Sequence, residues 1–587
     1  MYFLSLKSCK VLKTPELNSL YESHMVSLRT ESPLRPYVLE VYINLNTFCL
    51  ILIKVNMKSF SFKLILAVIV PCITLVKAID SVKSWNHLAI SAHGRYLSRT
   101  VTKEPFFWQG DTAWEIFHRL NKTDVDLYLR DRADKGFNVI QAVIIPELNG
   151  TTHPNYYGYL PIENSDPTKP IEEYFQNVDY VVERAAELGI ITALVPTWGR
   201  YVNCGWRGPP IIFNDQNARD FGRYIGNRYP GLPKLVGADS NGDWACNVQE
   251  AQEKYEENTN QDPFGLLSEV FDTRSVWANM IDGLRESESN HGYDLFVTFH
   301  PTNSYLNISG LPLPYGSNYI NGTLGQLSMN AVQSGHAIPS ESTTRNKAVV
   351  GWDSRLNYEN IEAMRDLFLD GPVIDLENHY EGAHVGFESD KSFWNSSHVR
   401  HGLYNGFFAG ACGITYGAHS IWQFYDTHSN LNNDNLYIEP QNELSKNSSW
   451  RSDLNFEGAS QVTYLQNLFK NLPSDVYYSL EPDRTFIRSI NNDEDILNYK
   501  GNRRISGLRS NNYYWIYIGY GDGFKLDLSS YSQDSSVSAK WYNPRDGKFN
   551  TEDEIKYTIN DETKVKSIYP PTFGTIDDDF VLVVKVD

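Results

Sequence analysis

The sequence predicts a (β/α)8 barrel of the TIM type followed by an all-β sandwich. Between about residue 108 and residue 417, short apolar runs alternate with stretches of helical character, and strict strand–helix alternation indicates a parallel sheet. After about Pro473, short alternating runs are separated by Gly, Asn and Asp, which is typical of an all-β module of about 110 residues. The length of 587 residues leaves room for both domains.

Eight apolar runs are the predicted barrel strands. In chain order they are PFFWQGD, FNVIQAVIIP, IITALVPTWG, KLVGAD, DLFVTFHP, MNAVQSGH, PVIDLEN and CGITYG. Most of them are followed by a helical candidate, such as NKTDVDLYLRDRADKG after the first run and ARDFGRYIGNRY after the third. Eight such units over about 320 residues fit a barrel with long loops. A doubly wound sheet is the alternative, but no G-x-G-x-x-G follows the first strand.

The C-terminal segment contains the runs RTFIRSI, NYYWIYIGY, FKLDLSS, VSAKWYNP and FVLVVKV. Their alternation of apolar and polar residues predicts short strands that are each half buried. We therefore divide the chain into residues 1–78, a barrel domain over 79–478 and a β-sandwich over 479–587. The sandwich is expected to contribute no catalytic group.

The segment Met57–Ala78 has a basic start, an apolar run and small residues at its end, which is the anatomy of a secretory signal peptide. The 56 residues before it are interpreted as an upstream extension. A membrane anchor within residues 41–76 is the alternative, although three lysines interrupt that span. The sequence thus predicts a secreted, extracellular protein without stable membrane association after the signal is removed. In that compartment Cys204 and Cys246 could pair, and the six N-x-Ser/Thr sequons after residue 78 could be glycosylated.

Composition and motifs exclude several classes of function. A net charge of −19 argues against a nucleic-acid partner, which would need a basic face. The sequence contains no H-E-x-x-H, no G-x-S-x-G and no P-loop, so the corresponding zinc protease, serine hydrolase and nucleotide-binding chemistries are unsupported. His300 and His336 lack metal-ligand spacing. We therefore predict no metal and no cofactor.

The predicted strands end in polar residues, where barrel enzymes carry their working groups. Alternation of side chains along a strand places Asp239 on the inner face of the fourth strand and Glu377 on the inner face of the seventh. Two carboxylates entering one barrel mouth are what glycoside hydrolysis requires. We also predict a substrate-binding set drawn from the strand ends and nearby aromatic residues: Asp111, Trp114, Gln141, Glu147, Trp198, His300, Gln333, His336, Tyr380, Glu381 and Trp422.

Several segments resemble the apiosidase-like glycoside hydrolases, a (β/α)8 family. They include WQGDTAWEIFHRL, YLRDRADKGFNVIQAVIIPELN, LENHYEG and AGACGITYGAHSIWQFY, and the resemblance covers about residues 91–473. The C-terminal segment with KWYNPRDGKF is similar to the collagen-binding-type domain that commonly follows this catalytic domain. Two positions depart from the family pattern, because Ala238 replaces a glycine and Asn378 replaces a proline.

The resemblance implies a two-carboxylate glycosidase acting on a plant or extracellular polysaccharide. It places the catalytic acids on Asp239 and Glu377. By analogy with other barrel glycosidases, Asp239 is the general acid/base and Glu377 is the nucleophile, or the base if the enzyme inverts configuration. Tyr380 is close enough in sequence to hydrogen-bond Glu377. A non-catalytic carbohydrate- or matrix-binding protein and a barrel amidase are the alternative functions.

The signal-peptide interpretation predicts that secreted protein begins near Ile79. N-terminal sequencing of material secreted by a host that processes signal peptides measures this directly. A secreted chain that still contains residues 2–56 would contradict the interpretation.

Overall fold

The structure is a computed structural model that describes most of the chain from residue 87 onward and three short segments before it. The described residues are 26–29, 37–45, 49–57, 87–203, 210–240, 273–301, 317, 327–336, 354–367, 371–387, 390–426, 449–490, 501–550 and 554–587. Up to residue 57, and at residues 239 and 240, only the backbone is described. Cys204 and Cys246 lie outside the described residues, and so do residues 58–78 of the proposed signal peptide.

The chain divides into two compact units, residues 1–85 and 86–587. The first contains an antiparallel sheet of β1 (Val26–Arg29), β2 (Tyr37–Leu45) and β3 (Cys49–Met57) in that order. Residues 41–45 and 49–57 of the alternative membrane anchor are therefore strand. In the described part of the chain, no helix has both the length and the apolar character needed to cross a bilayer.

The second unit begins with a small antiparallel sheet and continues into the parallel strands. The small sheet consists of β4 (Leu88–Ile90), β5 (Leu97–Arg99) and β6 (Pro105–Phe106). The parallel strands are β7 (Trp108–Thr112), β8 (Val139–Ile145), β9 (Ile191–Thr197), β10 (Lys234–Ser240), β11 (Val297–Pro301), β12 (Asn330–Gln333), β13 (Val373–Glu377) and β14 (Gly413–Tyr416). Each of the eight predicted strands is thus present at its predicted position.

The parallel strands form a curled six-stranded sheet and a separate two-stranded sheet. The larger sheet has the order β11-β10-β9-β8-β7-β14, and β12 pairs with β13. Hydrogen bonds join the two sheets at both ends. On one side Ser328, just before β12, donates its N–H to the Val297 carbonyl of β11 at 2.7 Å. On the other side Cys412, just before β14, donates its N–H to the Val373 carbonyl of β13 at 2.8 Å. The described ladders therefore establish a curled parallel sheet but not the complete barrel that the sequence predicts.

Helices follow most of the parallel strands. They are α1 (Ile116–Arg119), α2 (Lys122–Lys135), α3 (Glu172–Glu187), α4 (Arg200–Asn203), α5 (Asp215–Arg228), α6 (Arg274–Asn290), α7 (Arg355–Leu367), α8 (Ser396–Phe408), α9 (His419–Trp422), α10 (Trp450–Asp453), α11 (Glu457–Asn467) and α12 (Ser474–Tyr478). Local sequence explains the ends of α2, because the Asn121 side chain caps Asp124 N at 3.0 Å and Gly136 closes the helix in a left-handed conformation.

Helices α5 and α6 pack closely because glycine occupies their crossing. An added Cβ on Gly222 would overlap the Met280 carbonyl oxygen, and one on Gly283 would overlap the Arg219 carbonyl oxygen. At the N-terminal end of β10, Lys234 Nζ donates to Glu288 Oε1 of α6 at 2.7 Å, and both side chains are buried. These contacts attach the helix pair to the end of the sheet opposite to the strand ends that carry the candidate site.

The C-terminal domain contains two antiparallel sheets. The larger has the order β15-β17-β18-β24-β20-β21, with β22 also paired to β20, and the smaller has the order β16-β19-β23. Their bounds are β15 (Glu481–Pro482), β16 (Ile487–Arg488), β17 (Ile505–Ser510), β18 (Tyr513–Ile518), β19 (Phe524–Asp527), β20 (Ser536–Asn543), β21 (Lys548–Phe549), β22 (Ile555–Thr558), β23 (Val565–Ile568) and β24 (Phe580–Val586). One hydrophobic core contains residues of both sheets, among them Leu526 and Leu582.

A buried charge cluster joins the C-terminal domain to α8. Arg400 Nε and Nη2 donate to the two carboxylate oxygens of Asp579 at 2.8 and 2.9 Å, and Tyr517 adds a hydroxyl at 3.2 Å. Arg545 contacts the same carboxylate at 2.8 Å. Asp579 is fully buried, and although burial opposes its ionisation, the charge of Arg400 leads the interactions that lower its pKa. The domain is therefore fastened to the helix that follows β13.

Replacing Asp579 with Asn should destabilise the protein by roughly 3 kcal/mol, because it removes the buried counter-charge of Arg400 and leaves that guanidinium only the longer contact with the exposed Asp577. Thermal and urea unfolding of the full chain measure this loss. Asp561→Asn is the matched control, since its carboxylate is 78% exposed and pairs only with Lys564 among the residues described. Equal stability of the two variants would show that the Asp579 cluster does not hold the domains together.

Candidate active site

The carboxylate of Glu377 lies between two histidines at the C-terminal end of β13. Its Oε1 is 2.8 Å from His336 Nε2, and its Oε2 is 3.4 Å from His300 Nε2. His300 is on β11 and His336 follows β12, so three neighbouring strands bring these groups together. The Glu377 side chain is only 7% exposed. The structure thus brings together three of the residues that the sequence selected separately.

The two histidines determine the charge of this carboxylate. Burial by itself would raise the pKa of Glu377, but the interactions of His300 and His336 with its carboxylate outweigh burial and hold that pKa well below its ordinary value. This shift favours the ionised form of Glu377. An ionised, buried and oriented carboxylate can attack an electrophilic carbon or stabilise a positive charge that develops next to it.

Aromatic side chains surround the glutamate and its histidines. Trp114 Nε1 donates to the Tyr380 hydroxyl at 3.0 Å, and the Trp114 ring lies edge-on to His300, with centroids 5.4 Å apart. Trp198 packs edge-on against Trp114 at 5.5 Å, and Trp422 stacks on Tyr380 at 6.2 Å. The predicted hydrogen bond from Tyr380 to Glu377 is not among those described. The Tyr380 ring packs against His336, with centroids 4.3 Å apart.

Two glutamines lie next to the strand that carries Glu377, and each has a buried oxygen without a hydrogen-bond partner among the described contacts. Gln141 Nε2 donates to the backbone carbonyl of Leu376 at 2.9 Å, immediately before Glu377, and Gln333 pairs with Glu377 in the β12–β13 ladder. Among the described contacts, Gln141 Oε1, Gln333 Oε1 and His336 Nδ1 have no hydrogen-bond partner although they are buried. Buried polar atoms are usually paired, so these three are the acceptors or donors that a ligand could use.

Asp111 lies apart from this cluster. Its Oδ2 accepts a hydrogen bond from the Tyr128 hydroxyl at 2.6 Å and pairs with Arg132 Nε at 2.6 Å, and both partners belong to α2. The adjacent Thr112 is the residue that contacts Gln141, at 3.5 Å. Asp111 therefore faces the helices, and the sequence-based assignment to substrate binding gains no support from its contacts.

Glu381 also lies in a different environment from Glu377. Its Oε2 accepts the Tyr416 hydroxyl at 2.6 Å, and its Oε1 accepts Gly458 N, in the first turn of α11, at 3.3 Å. Burial raises the pKa of Glu381 to about 7, against the lowering effect of these hydrogen bonds. Glu381 thus fastens the segment after β13 to β14 and α11, rather than to the histidine pair.

Two further acids near the ends of the parallel strands are Glu147 and Asp375. Glu147 follows β8 and is buried, and its backbone carbonyl accepts Arg200 Nη1 at 2.9 Å. Asp375 Oδ1 accepts the backbone N–H groups of Ser334 and Glu377 at 3.1 and 3.3 Å, so it braces the two strands that carry the site. Burial raises the pKa of Asp375.

The side chain of Asp239 lies outside the described residues, but the backbone next to it is informative. Gly237 and Ala238 both have positive φ, 102° and 31°, and the β10–β11 register shifts between Val236 and Ser240. An added Cβ on Gly237 would press into the Phe299 ring. The simple alternation used to orient Asp239 from the sequence therefore does not continue through this irregularity.

Sequence reasoning missed two residues that support the histidine pair. Trp394 Nε1 donates to the backbone carbonyl of His336 at 3.0 Å, and the His379 ring stacks on Trp394 with centroids 4.0 Å apart. Burial leads the effects that lower the pKa of His379, to about 3, so this ring is neutral. The LENHYE motif contains His379, but no local pattern connects Trp394 with β12. In the described part of the chain, no three His, Cys, Asp or Glu side chains form a group suited to a metal ion.

Fold and site together define the class of protein, and the family model confirms it. The model described as "Apiosidase-like, catalytic domain" matches residues 91–475, and the model described as "Putative collagen-binding domain of a collagenase" matches residues 482–585. This chain therefore belongs to the apiosidase-like family of glycoside hydrolases, as the sequence resemblance implied. No curated protein matches the chain.

Solved structures similar to this one are glycoside hydrolases. A glycoside hydrolase family 5 protein from Bacteroides vulgatus is 25% identical, with a TM-score of 0.66 over 86% of this chain and 93% of its own. A structure titled "Glycoside hydrolase" is 24% identical, with a TM-score of 0.64 over 86% of this chain and 98% of its own. A second protein from Bacteroides vulgatus, 12% identical with a TM-score of 0.53 over 86% of this chain and 83% of its own, shares the fold.

The Glu381 contacts predict a pH-dependent loss of stability. Burial raises the folded-state pKa of Glu381 from 4.5 to about 7. Its contribution to the free energy of unfolding is therefore fully present below pH 4.5 and is lost as the pH rises through about 7. Glu381→Gln removes the titration. Urea unfolding between pH 4 and pH 8 should give a steeper decline for the unsubstituted protein than for the variant, by up to about 3 kcal/mol. Parallel curves would exclude this role of Glu381.

Proposed function

We propose that this protein is a secreted glycosidase that cleaves O-glycosidic bonds of a plant or extracellular polysaccharide with Glu377 and Asp239. The observation that carries the proposal is the buried Glu377 carboxylate between His300 and His336, at the end of β13 in a chain of a glycoside hydrolase family. We further propose that the two parallel sheets together form an eight-stranded barrel and that the two C-terminal sheets form a β-sandwich.

The charge state of Glu377 favours a nucleophile over a general base. A base that takes a proton from water works best when its pKa is near the working pH. The contacts with His300 and His336 hold the pKa of Glu377 below its ordinary value, so the carboxylate is ionised and available for attack. We propose a retaining mechanism, which would require the two carboxyl groups to lie about 5–5.5 Å apart.

In the proposed first step, a Glu377 carboxylate oxygen forms a bond to the anomeric carbon. The bond from that carbon to the leaving oxygen breaks, and the leaving oxygen takes the proton of Asp239. In the second step Asp239 accepts a proton from water, the water oxygen bonds to the anomeric carbon, and Glu377 leaves with its electron pair. His300 and His336 hold Glu377 in place during both steps. The unpaired atoms of Gln141 and Gln333 are suited to bind sugar hydroxyl groups.

The proposal predicts that Glu377→Gln and Asp239→Asn each lower turnover by several orders of magnitude, because each keeps the side-chain shape and removes the ionisable group. Release of reducing sugar from a panel of glycans identifies a cleaved substrate and gives the rate. Glu187→Gln makes the same chemical change at a side chain that is 62% exposed on α3 and serves as the control. Unfolding curves check that each variant remains folded.

Two outcomes would overturn the proposal. Near-normal turnover in either variant would remove that residue from the mechanism. Binding of a glycan by the unsubstituted protein without release of sugar would support the non-catalytic carbohydrate-binding alternative instead.

A further inference from the structure

Five aromatic rings form a closed cycle next to Glu377. The centroid distances are 4.7 Å for Phe387–His336, 4.3 Å for His336–Tyr380, 6.2 Å for Tyr380–Trp422, 6.3 Å for Trp422–His419 and 5.6 Å for His419–Phe387. Four of these residues are buried, with exposed fractions between 2% and 6%, whereas Phe387 is 37% exposed. The cycle therefore has one accessible member, and that member rests directly on the histidine that contacts Glu377.

The backbone holds Phe387 in a conformation that its side chain disfavours. Gly386 and Phe387 have φ of 65° and 58°, in the left-handed region. Glycine adopts this region freely, whereas a phenylalanine there costs about 1 kcal/mol. Hydrogen bonds nevertheless fix the turn, because Gly386 N donates to His336 O at 2.6 Å and Phe387 N donates to His384 O at 3.0 Å. Strained backbone that the surrounding contacts hold in place is concentrated at ligand-binding and active sites.

Backbone preference does not explain a phenylalanine at this position, and its packing against His336 and His419 still leaves 37% of it exposed. A glycine would fit the turn better, and a polar residue would suit the solvent better. A ligand that covers the ring would account for both features. The ring has no hydroxyl or charged group, so the matching ligand surface is an apolar one that is presented beside an ionised carboxylate.

We propose that Phe387 stacks on the C–H face of the sugar ring bound at Glu377, and that it is a substrate-contacting residue of this site. A sugar ring has such a face between its hydroxyl groups, and aromatic rings pack on it with the same geometry that they use in proteins. The inference rests on the proposed function, because the occupant is the carbohydrate. It adds a residue that neither the family match nor the strand-end pattern assigns.

Phe387→Gly separates a substrate contact from a structural role. The glycine relieves the left-handed backbone, but it enlarges the unfolded ensemble and removes the ring contacts with His336 and His419, so the melting temperature should stay the same or fall slightly. The loss of the ring should weaken substrate binding, and KM for a cleaved glycan should increase roughly tenfold with a smaller change in kcat. Phe387→Tyr keeps the stacking face and should retain the KM of the unsubstituted protein.

Phe549→Ala is the matched control, since Phe549 on β21 is 43% exposed and lies in the C-terminal domain. It should leave KM unchanged. An unchanged KM in Phe387→Gly would overturn the inference. So would a strongly lowered melting temperature with an altered kcat alone, which would show a structural role.

Calorimetric titration with the same glycans keeps this test separate from the proposed function. If the protein binds a glycan without cleaving it, the glycosidase proposal fails, and weaker binding by Phe387→Gly still supports the stacking contact. If the protein cleaves a glycan and Phe387→Gly binds it equally well, the stacking contact fails and the glycosidase proposal remains. If the protein binds none of the glycans, both are overturned.

Discussion

The contact of the Glu377 carboxylate with His300 and His336 is the interaction on which the candidate site depends. An isolated carboxylate buried to this extent would cost several kcal/mol, and it would take up a proton instead of remaining charged. The two histidines compensate that cost only because the ends of β11, β12 and β13 converge. The hydrogen bonds of Asp375 connect the ends of β12 and β13, and the Trp394 hydrogen bond fixes the His336 backbone after β12.

The other buried acids show why this arrangement is distinctive. Asp111 is paired with an arginine of α2, Glu381 with a tyrosine hydroxyl and a helix N–H, and Asp579 with an arginine of α8. Each of these contacts fastens one part of the fold to another. Glu377 is the acid whose described partners are two histidines at strand ends beside a shell of aromatic rings. All four acids are buried, but the partners of Asp111, Glu381 and Asp579 connect parts of the fold, whereas the partners of Glu377 lie at the candidate site.

The C-terminal domain contributes to the site through the helix that it contacts. Asp579 holds Arg400 of α8, and α8 follows the segment that contains Trp394, whose indole bonds to the His336 carbonyl. The chain of contacts from the antiparallel sheets to the histidine pair is therefore continuous. The domain supports the geometry of the catalytic domain without placing any of its described side chains among the contacts of Glu377.

Sequence by itself determined the eight parallel strands, the change to antiparallel strands and the strand-end position of Glu377. Apolar runs and the residues that separate them are local signals, so they can be read without the fold. Tertiary structure decided which acids share a site. The same pattern of a strand-end acid applies to Asp111 and Glu377, yet one faces Arg132 and the other faces two histidines. Local periodicity also could not anticipate the irregular backbone at Gly237 or the exposed ring of Phe387. Partners and backbone strain depend on residues far apart in the chain, and only packing brings those residues into contact.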